Sequence, residues 1–266
     1  MEQKLLQLNE LLASLGSAAV AFSAGVDSAF LLAAAHQVLG DRIVAFTAVT
    51  PANPAREVDE ATAFCVERGI RHILFEMDPM EVDGLSRNPR NRCYLCKKHL
   101  FNEMKQRAER EGLRYLVEGS NADDANNYRP GSQALKELGI RSPLQECGFS
   151  KSEIRALSRE MGLPQWNKPS FACLYTRFPY DSLITPEKVR RVDASEQLLL
   201  DLGFSSVRVR SLGENGDRAC IEVAADQVSA LAESPTRERV VSRLKALGFT
   251  SVALDLQGYR TGSMDE

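Results

Sequence analysis

A chain of 266 residues is long enough for one ordinary domain of about 150 residues and a smaller companion. With 44% hydrophobic and 26% charged residues it has a globular composition, which excludes a disordered, fibrous or collagen-like chain. Its 33 basic and 36 acidic side chains leave a net charge of −3, without the basic excess that binding a phosphate backbone needs, so a nucleic-acid partner is disfavoured.

The first residues, Met1 to Gly16, read as an amphipathic helix and not a signal peptide, because Glu2, Lys4 and Glu10 interrupt the leucines. No apolar run approaches the ~20 residues of a membrane span, so no membrane partner is expected. An apolar strand over residues 18–22 leads through Ser23-Ala24-Gly25-Val26-Asp27-Ser28 into a helix over 29–39. A second strand, 43–49, precedes Pro54 at the start of a helix that Gly69 stops after Arg68. The pattern repeats with strand 72–75, helix 97–111 and strand 115–117, and Ser150 with Glu153 has the spacing of a capping box opening a helix over 151–161. Strands alternating with helices predict an α/β fold, a doubly wound parallel sheet with right-handed connections.

A boundary is expected near 165–180, giving domains 1–170 and 171–266. In the second, Thr185-Pro186-Glu187 opens a helix that Gly203 closes, and strands 206–210 and 219–223 flank the turn-forming Gly213-Glu214-Asn215-Gly216. A helix over 237–247 and a strand over 252–256 complete a smaller C-terminal α+β domain.

Between a buried strand and a helix, the backbone N–H groups and hydroxyls of Ser23, Gly25, Val26, Asp27 and Ser28 converge at the positive end of a helix dipole, a site for phosphate oxygens. No Walker Gly-Lys-Ser/Thr and no spaced-glycine dinucleotide fingerprint is present. The six residues resemble the Ser-Gly-Gly-x-Asp-Ser signature of the PP-loop ATP pyrophosphatases, which cut ATP between its α- and β-phosphates and adenylate a substrate. Ala24 stands where that signature has its first glycine. If the position needs positive φ, alanine costs ~1 kcal/mol there.

Six cysteines without a secretory signal are expected to be thiols or metal ligands in a reducing compartment, with the cytoplasm as the expected location. Cys93 and Cys96 stand among Arg87, Arg90, Arg92, Lys97 and Lys98, cations that favour thiolate. Cys173 follows in Lys168-Pro-Ser-Phe-Ala-Cys173, while Cys65, Cys147 and Cys220 read as packing residues. With His99, the first three could instead form a structural Cys₃His zinc site; His36 and His72 read as packed histidines.

Asp124 follows the strand 115–117 at the carboxyl end of the sheet, where an acidic side chain could hold Mg²⁺ on a triphosphate, and Asn121, Asp123 and Arg129 crowd the same loop. Arg208 and Arg210 alternate with valines, so both guanidiniums project from one strand face, an arrangement suited to a phosphate monoester. Solvated arginines on an edge strand are the simpler alternative.

Together with Glu118-Gly-Ser-Asn121-Ala-Asp-Asp124, Arg129-Pro-Gly131 and Leu256-Gln-Gly258-Tyr259-Arg260, the cysteine segments resemble the LarE family from about residue 18 onward. Members are ATP-dependent sulfur transferases that build the nickel-pincer nucleotide cofactor. The resemblance implies adenylation of a carboxylate of pyridinium-3,5-biscarboxylic acid mononucleotide, with ATP and Mg²⁺, followed by displacement of AMP by sulfide. It implies Asp27 and Cys173 as catalytic residues, Arg208 and Arg210 holding the substrate phosphate with help from Thr176 or Arg177, and Glu196 and Asp226 as acidic active-site positions. It also implies one of two sulfur sources. Either Cys173 gives up its own sulfur, or Cys93, Cys96 and Cys173 hold a [4Fe-4S] cluster whose ligand-free iron carries a hydrosulfide; having all three cysteines favours the cluster. A homo-oligomer, hexameric by resemblance, and hand-over with other enzymes of the pathway are expected, the C-terminal domain serving substrate binding and oligomerisation. The rival readings are a tRNA thiolase, which predicts a basic face, an ammonia-using PP-loop synthetase, which leaves the three cysteines without a task, and a non-catalytic nucleotide- or metal-binding module weakened at Ala24.

Overall fold

The computed structural model describes residues 1–126, 130–169 and 172–260. They form two compact units, the first taking residues up to 169 except 51–54 and 83–90, which belong with residues 172–260 in the second.

The first unit runs α1 (Glu2–Leu15), β1 (Ala18–Ala21), α2 (Val26–Leu39), β2 (Ile43–Val49), α3 (Ala55–Arg68), β3 (Arg71–Glu76), α4 (Arg92–Arg110), β4 (Tyr115–Val117), α5 (Pro130–Leu138), α6 (Pro143–Glu146) and α7 (Lys151–Glu160). Its strands pair in parallel in the order β3-β2-β1-β4, with Ala18 opposite both Ile43 and Tyr115. Alternation along the strands serves two cores. Ala18, Val20, Ile43 and Ala45 pack with Leu8, Leu12, Phe30, Leu31 and Ile154 on one face, and Ala19, Val44, Phe46 and Leu116 with Phe101, Met104 and Leu135 on the other. A sheet buried on both sides explains why these strands read as continuous apolar runs. The doubly wound α/β expectation is met.

Three local readings change. The fourth helix starts at Arg92 and not at Lys97, which puts Cys93 and Cys96 inside it, within its first five residues; beyond Pro89 nothing in Asn91-Arg-Cys-Tyr-Leu-Cys96 breaks a helix. Residues 130–138, to which the sequence reading assigned no element, form α5 with Pro130 at its first position. Residues 143–146 add the short α6, with Pro143 at its start.

The second unit contains α8 (Pro186–Asp201), β5 (Arg208–Leu212), β6 (Arg218–Glu222), α9 (Val228–Ala232), α10 (Thr236–Ala246) and β7 (Ser251–Leu254). β5 and β6 form the expected hairpin, shifted by two residues on the first strand, and β7 joins β6 in parallel. Thr185 caps α8 by accepting from the Lys188 N–H. Among the described residues no helix is long and apolar enough to cross a membrane.

Candidate active site

In the order β3-β2-β1-β4, the loops after β1 and β4 lie where the winding of the sheet reverses, the place where doubly wound folds bind ligands. Gly25 occupies the N-cap of α2 in extended backbone and no side chain caps the helix, leaving its first-turn N–H groups for an anion. The loop braces itself. Ser23 N–H donates to Ser28 Oγ at 3.3 Å, Ser28 Oγ donates to the Gly25 carbonyl at 3.1 Å, and the two hydroxyls stand 3.2 Å apart.

Ala24 has φ of 54°, in the left-handed region that favours glycine. The anticipated strain is therefore present. Its methyl is 0% exposed and packs in the apolar cluster beneath the loop. Burying one methyl group is worth up to ~0.8 kcal/mol, which offsets only part of the ~1 kcal/mol that positive φ costs.

Gly119, two residues beyond β4, comes against this loop. A Cβ there would stand 2.9 Å from Ser28 N and 3.2 Å from the Asp27 carbonyl carbon. Asp27, on the first turn of α2, accepts from Lys151 Nζ at 2.6 Å. Lys151 opens α7, whose capping box is formed by Ser150 and Glu153, and its backbone N–H donates to Asp123 Oδ2 at 2.8 Å. Asp124 accepts from the Asn121 N–H at 3.1 Å, and Asn121 Oδ1 accepts from Asp123 N–H at 2.9 Å. Burial raises the Asp27 carboxyl above its ordinary value, the Lys151 ion pair pulls the other way, and the negative charge of Asp124 adds to the rise. Loop and carboxylates could thus hold a polyphosphate and its divalent cation. Arg129 lies outside the described residues.

In the second unit Arg177 and Glu196, each 1% exposed, form a two-bonded ion pair at 2.8 and 2.9 Å. Arg177 Nη1 also donates to the carbonyls of Ala172 and Cys173, and Glu196 Oε1 also accepts from the Val209 N–H. Arg210 donates to Glu222 at 2.7 Å and to the Thr176 carbonyl at 2.8 Å. Arg208 differs. It is 6% exposed, its Nε has no hydrogen-bond partner, and its contacts are with the Tyr259 hydroxyl at 3.2 Å and ring at 4.7 Å. Burial, with Arg177 and Arg210 close by, depresses its pKa. A buried guanidinium beside two others, with no ion-paired carboxylate of its own among the described residues, has the chemistry to accept an anion.

Arg208 and Arg210 do share a strand face, and both are buried, so the edge-strand alternative of solvated arginines is set aside. Thr176 hydroxyl donates to the Cys173 carbonyl at 2.8 Å. Asp226 is exposed in the turn Ala225–Gln227.

All six cysteines are thiols. Burial pushes Cys65 up to about 12 and raises Cys147 and Cys220, which suits packing residues. Cys93 is exposed and Cys96 half-buried within the first five residues of α4, three residues apart and so on one helix face. Cys173 is exposed at the start of the turn Leu174–Arg177, in the second unit. Among the described residues no three His, Cys, Asp or Glu side chains gather into a metal-binding group.

No family model matches the chain. It is 36% identical over 248 residues, 93% of its length and 88% of the relative's, to the pyridinium-3,5-bisthiocarboxylic acid mononucleotide synthase of Lactiplantibacillus plantarum. The chain belongs to the LarE family. An uncharacterized protein of Synechocystis is 40% identical over 100% of this chain and 98% of its own. One subunit of the glutamine-hydrolyzing GMP synthase of Thermoplasma acidophilum is 26% identical over 76% of this chain and 74% of its own, a match within the wider PP-loop superfamily.

For a LarE family member, four residues escaped the sequence reading. Gly119 and Lys151 meet the phosphate loop from β4 and α7. Tyr259 covers Arg208, placed by its own N–H donating to the Val223 carbonyl at 2.8 Å. Asn88, fully buried with φ of 51°, donates to the carbonyls of Phe178 and Pro179 and so holds the loop that follows Cys173. Asn88, Gly119 and Tyr259 carried a signal, since all three stand in segments that resemble the family; Lys151 carried none.

Proposed function

We propose that the protein is an ATP-dependent sulfur transferase that converts pyridinium-3,5-biscarboxylic acid mononucleotide to its thiocarboxylate form. A carboxylate oxygen of the substrate attacks the α-phosphorus of ATP and pyrophosphate leaves; sulfide then attacks the acyl carbon and AMP leaves. The order follows from leaving groups, because a free carboxylate would have to expel oxide. The observation that carries this reading is the 36% identity to the named synthase over 93% of the chain.

The residues have matching tasks. The uncapped α2 N-terminus with Ser23 and Ser28 binds phosphate oxygens, and Asp27 and Asp124 hold Mg²⁺. Arg208 takes the substrate's phosphate, while Arg210 and Arg177, already ion-paired, set its surroundings. Three thiols stand outside the packing set, and thiolate sulfur is the donor type that an iron–sulfur cluster takes. Cys93, Cys96 and Cys173 would hold a [4Fe-4S] cluster, which when bound supplies the transferable sulfide. A homo-oligomer in the cytoplasm that exchanges intermediates with neighbouring enzymes of the pathway completes the reading.

The test follows pyrophosphate and thiocarboxylate separately, with ATP, Mg²⁺ and substrate in the absence of oxygen. Cys173→Ser is expected to release pyrophosphate and form no thiocarboxylate; thiocarboxylate from this variant would overturn the assignment. About four irons with matching acid-labile sulfide, lost in Cys93→Ser, support the cluster. Without iron, conversion of Cys173 to dehydroalanine after one turnover would make that residue the sulfur donor.

A further inference from the structure

Lys168 stands five residues before Cys173 in the chain and lies in the first unit, where it reaches back to the phosphate loop. Its ammonium donates to the carbonyl of Ala24 at 3.2 Å and pairs with Glu60 of α3. The side chain is 14% exposed, so it is ordered along the protein surface and not waving in water. Its backbone is clamped from the other side. Arg155 of α7 donates from Nη2 to the Lys168 carbonyl at 2.8 Å and from Nη1 to the Trp166 carbonyl at 2.7 Å, and Lys168 N–H donates to the Gln165 carbonyl at 2.9 Å. A fixed ammonium therefore meets the residue of the phosphate loop that is both buried and, though not glycine, at positive φ.

We propose that Lys168 is a positioning residue for the phosphate loop, holding Ala24 in its left-handed conformation by hydrogen-bonding its carbonyl. Where the PP-loop signature has a glycine, no such hold is needed, because glycine takes positive φ without steric cost. Alanine does not, and the peptide that joins Ala24 to Gly25 is free to turn unless its carbonyl is fixed. Turning it would redirect the Gly25 N–H, which donates to Ser23 Oγ at 3.4 Å and faces phosphate in the proposed ATP site. Lys168 compensates locally for the substitution in the loop. The inference rests on the reading of this loop as the ATP site.

Binding of MgATP and of inorganic pyrophosphate to the full chain, by calorimetry, tests it in a mutant cycle. Lys168→Met is expected to weaken both about fivefold or more, the loss corresponding to a released left-handed alanine. Measured in an Ala24→Gly background, the same substitution should cost no more than about twofold, because glycine supplies the conformation unaided. A lysine that touches the ligand, or one that only stabilises the fold, would cost as much in either background, and equal losses overturn the proposal. Should Lys168→Met not fold, Glu60→Gln releases the ammonium at a half-exposed site and must show the same dependence on residue 24. If the unmodified protein bound neither ligand, the reading of the loop would itself fall, an outcome distinct from binding without coupling.

Discussion

Lys151 Nζ donates to Asp27 Oδ2 across 2.6 Å, tying the first turn of α7 to the first turn of α2. The pair is partly exposed, so its worth to stability is small, about 1 kcal/mol or less. Its position beside the proposed phosphate loop makes turnover the more sensitive readout. Asp27→Asn is expected to slow pyrophosphate release about tenfold to a hundredfold, the worth of one charged contact. Urea unfolding of the same variant should move by no more than about 1 kcal/mol. A large stability loss with unchanged turnover would reverse the assignment.

Gly119→Ala drives a Cβ to 2.9 Å from Ser28 N, closer than real contacts allow. Both neighbours are backbone, so the loop after β1 has to shift. A stability loss of about 1–3 kcal/mol is expected, together with weakened MgATP binding. Thermal unfolding and calorimetry on the same preparation check both.

Arg177→Met leaves Glu196 buried without its cation, and about 3–5 kcal/mol of stability should be lost. Combining it with Glu196→Gln removes the stranded charge while keeping an acceptor for the Val209 N–H. The double variant is expected to be more stable than Arg177→Met alone. Urea titrations that rank the two the other way would show that the pair contributes little.

Arg208→Met should behave in the opposite sense. Its guanidinium has no carboxylate in an ion pair among the described residues and is repelled by Arg177 and Arg210. Unfolding free energy is expected to hold within about 1 kcal/mol of the parent or to rise, the Tyr259 contact offsetting the relieved repulsion. Binding of the pyridinium mononucleotide should be lost, as calorimetry would show. Stability lost as heavily as in Arg177→Met would mean that Arg208 is structural.

Burial holds the Cys65 thiol up to about 12 against an ordinary value of 9.0. The folded state therefore keeps its proton where the unfolded state has released it. The contribution is fully present below pH 9.0 and is lost as pH rises from there toward about 12. Cys65→Ala should flatten this alkaline decline in the unfolding midpoint. In the folded protein at pH 8, iodoacetamide should label the exposed Cys93 and leave Cys65 untouched until denaturant is added.

The sequence alone determined the features that depend on near neighbours. The alternation of apolar runs with helical segments specified the two-sided parallel sheet, Ser150 and Glu153 marked the start of α7, and Ala24 announced a strained loop. The two arginines of β5 could be assigned to one face because side chains alternate along a strand. Which of them has a carboxylate partner was decided only in three dimensions. Arg210 is neutralised by Glu222 and Arg177 by Glu196, which leaves Arg208 as the member of the three without an ion pair among the described residues. Lys151 meets Asp27 across 124 residues of sequence, and Lys168 meets Ala24 across 144. Periodicity and capping are short-range properties that a linear reading captures, whereas charge compensation and close backbone approach depend on which distant segments the fold brings together.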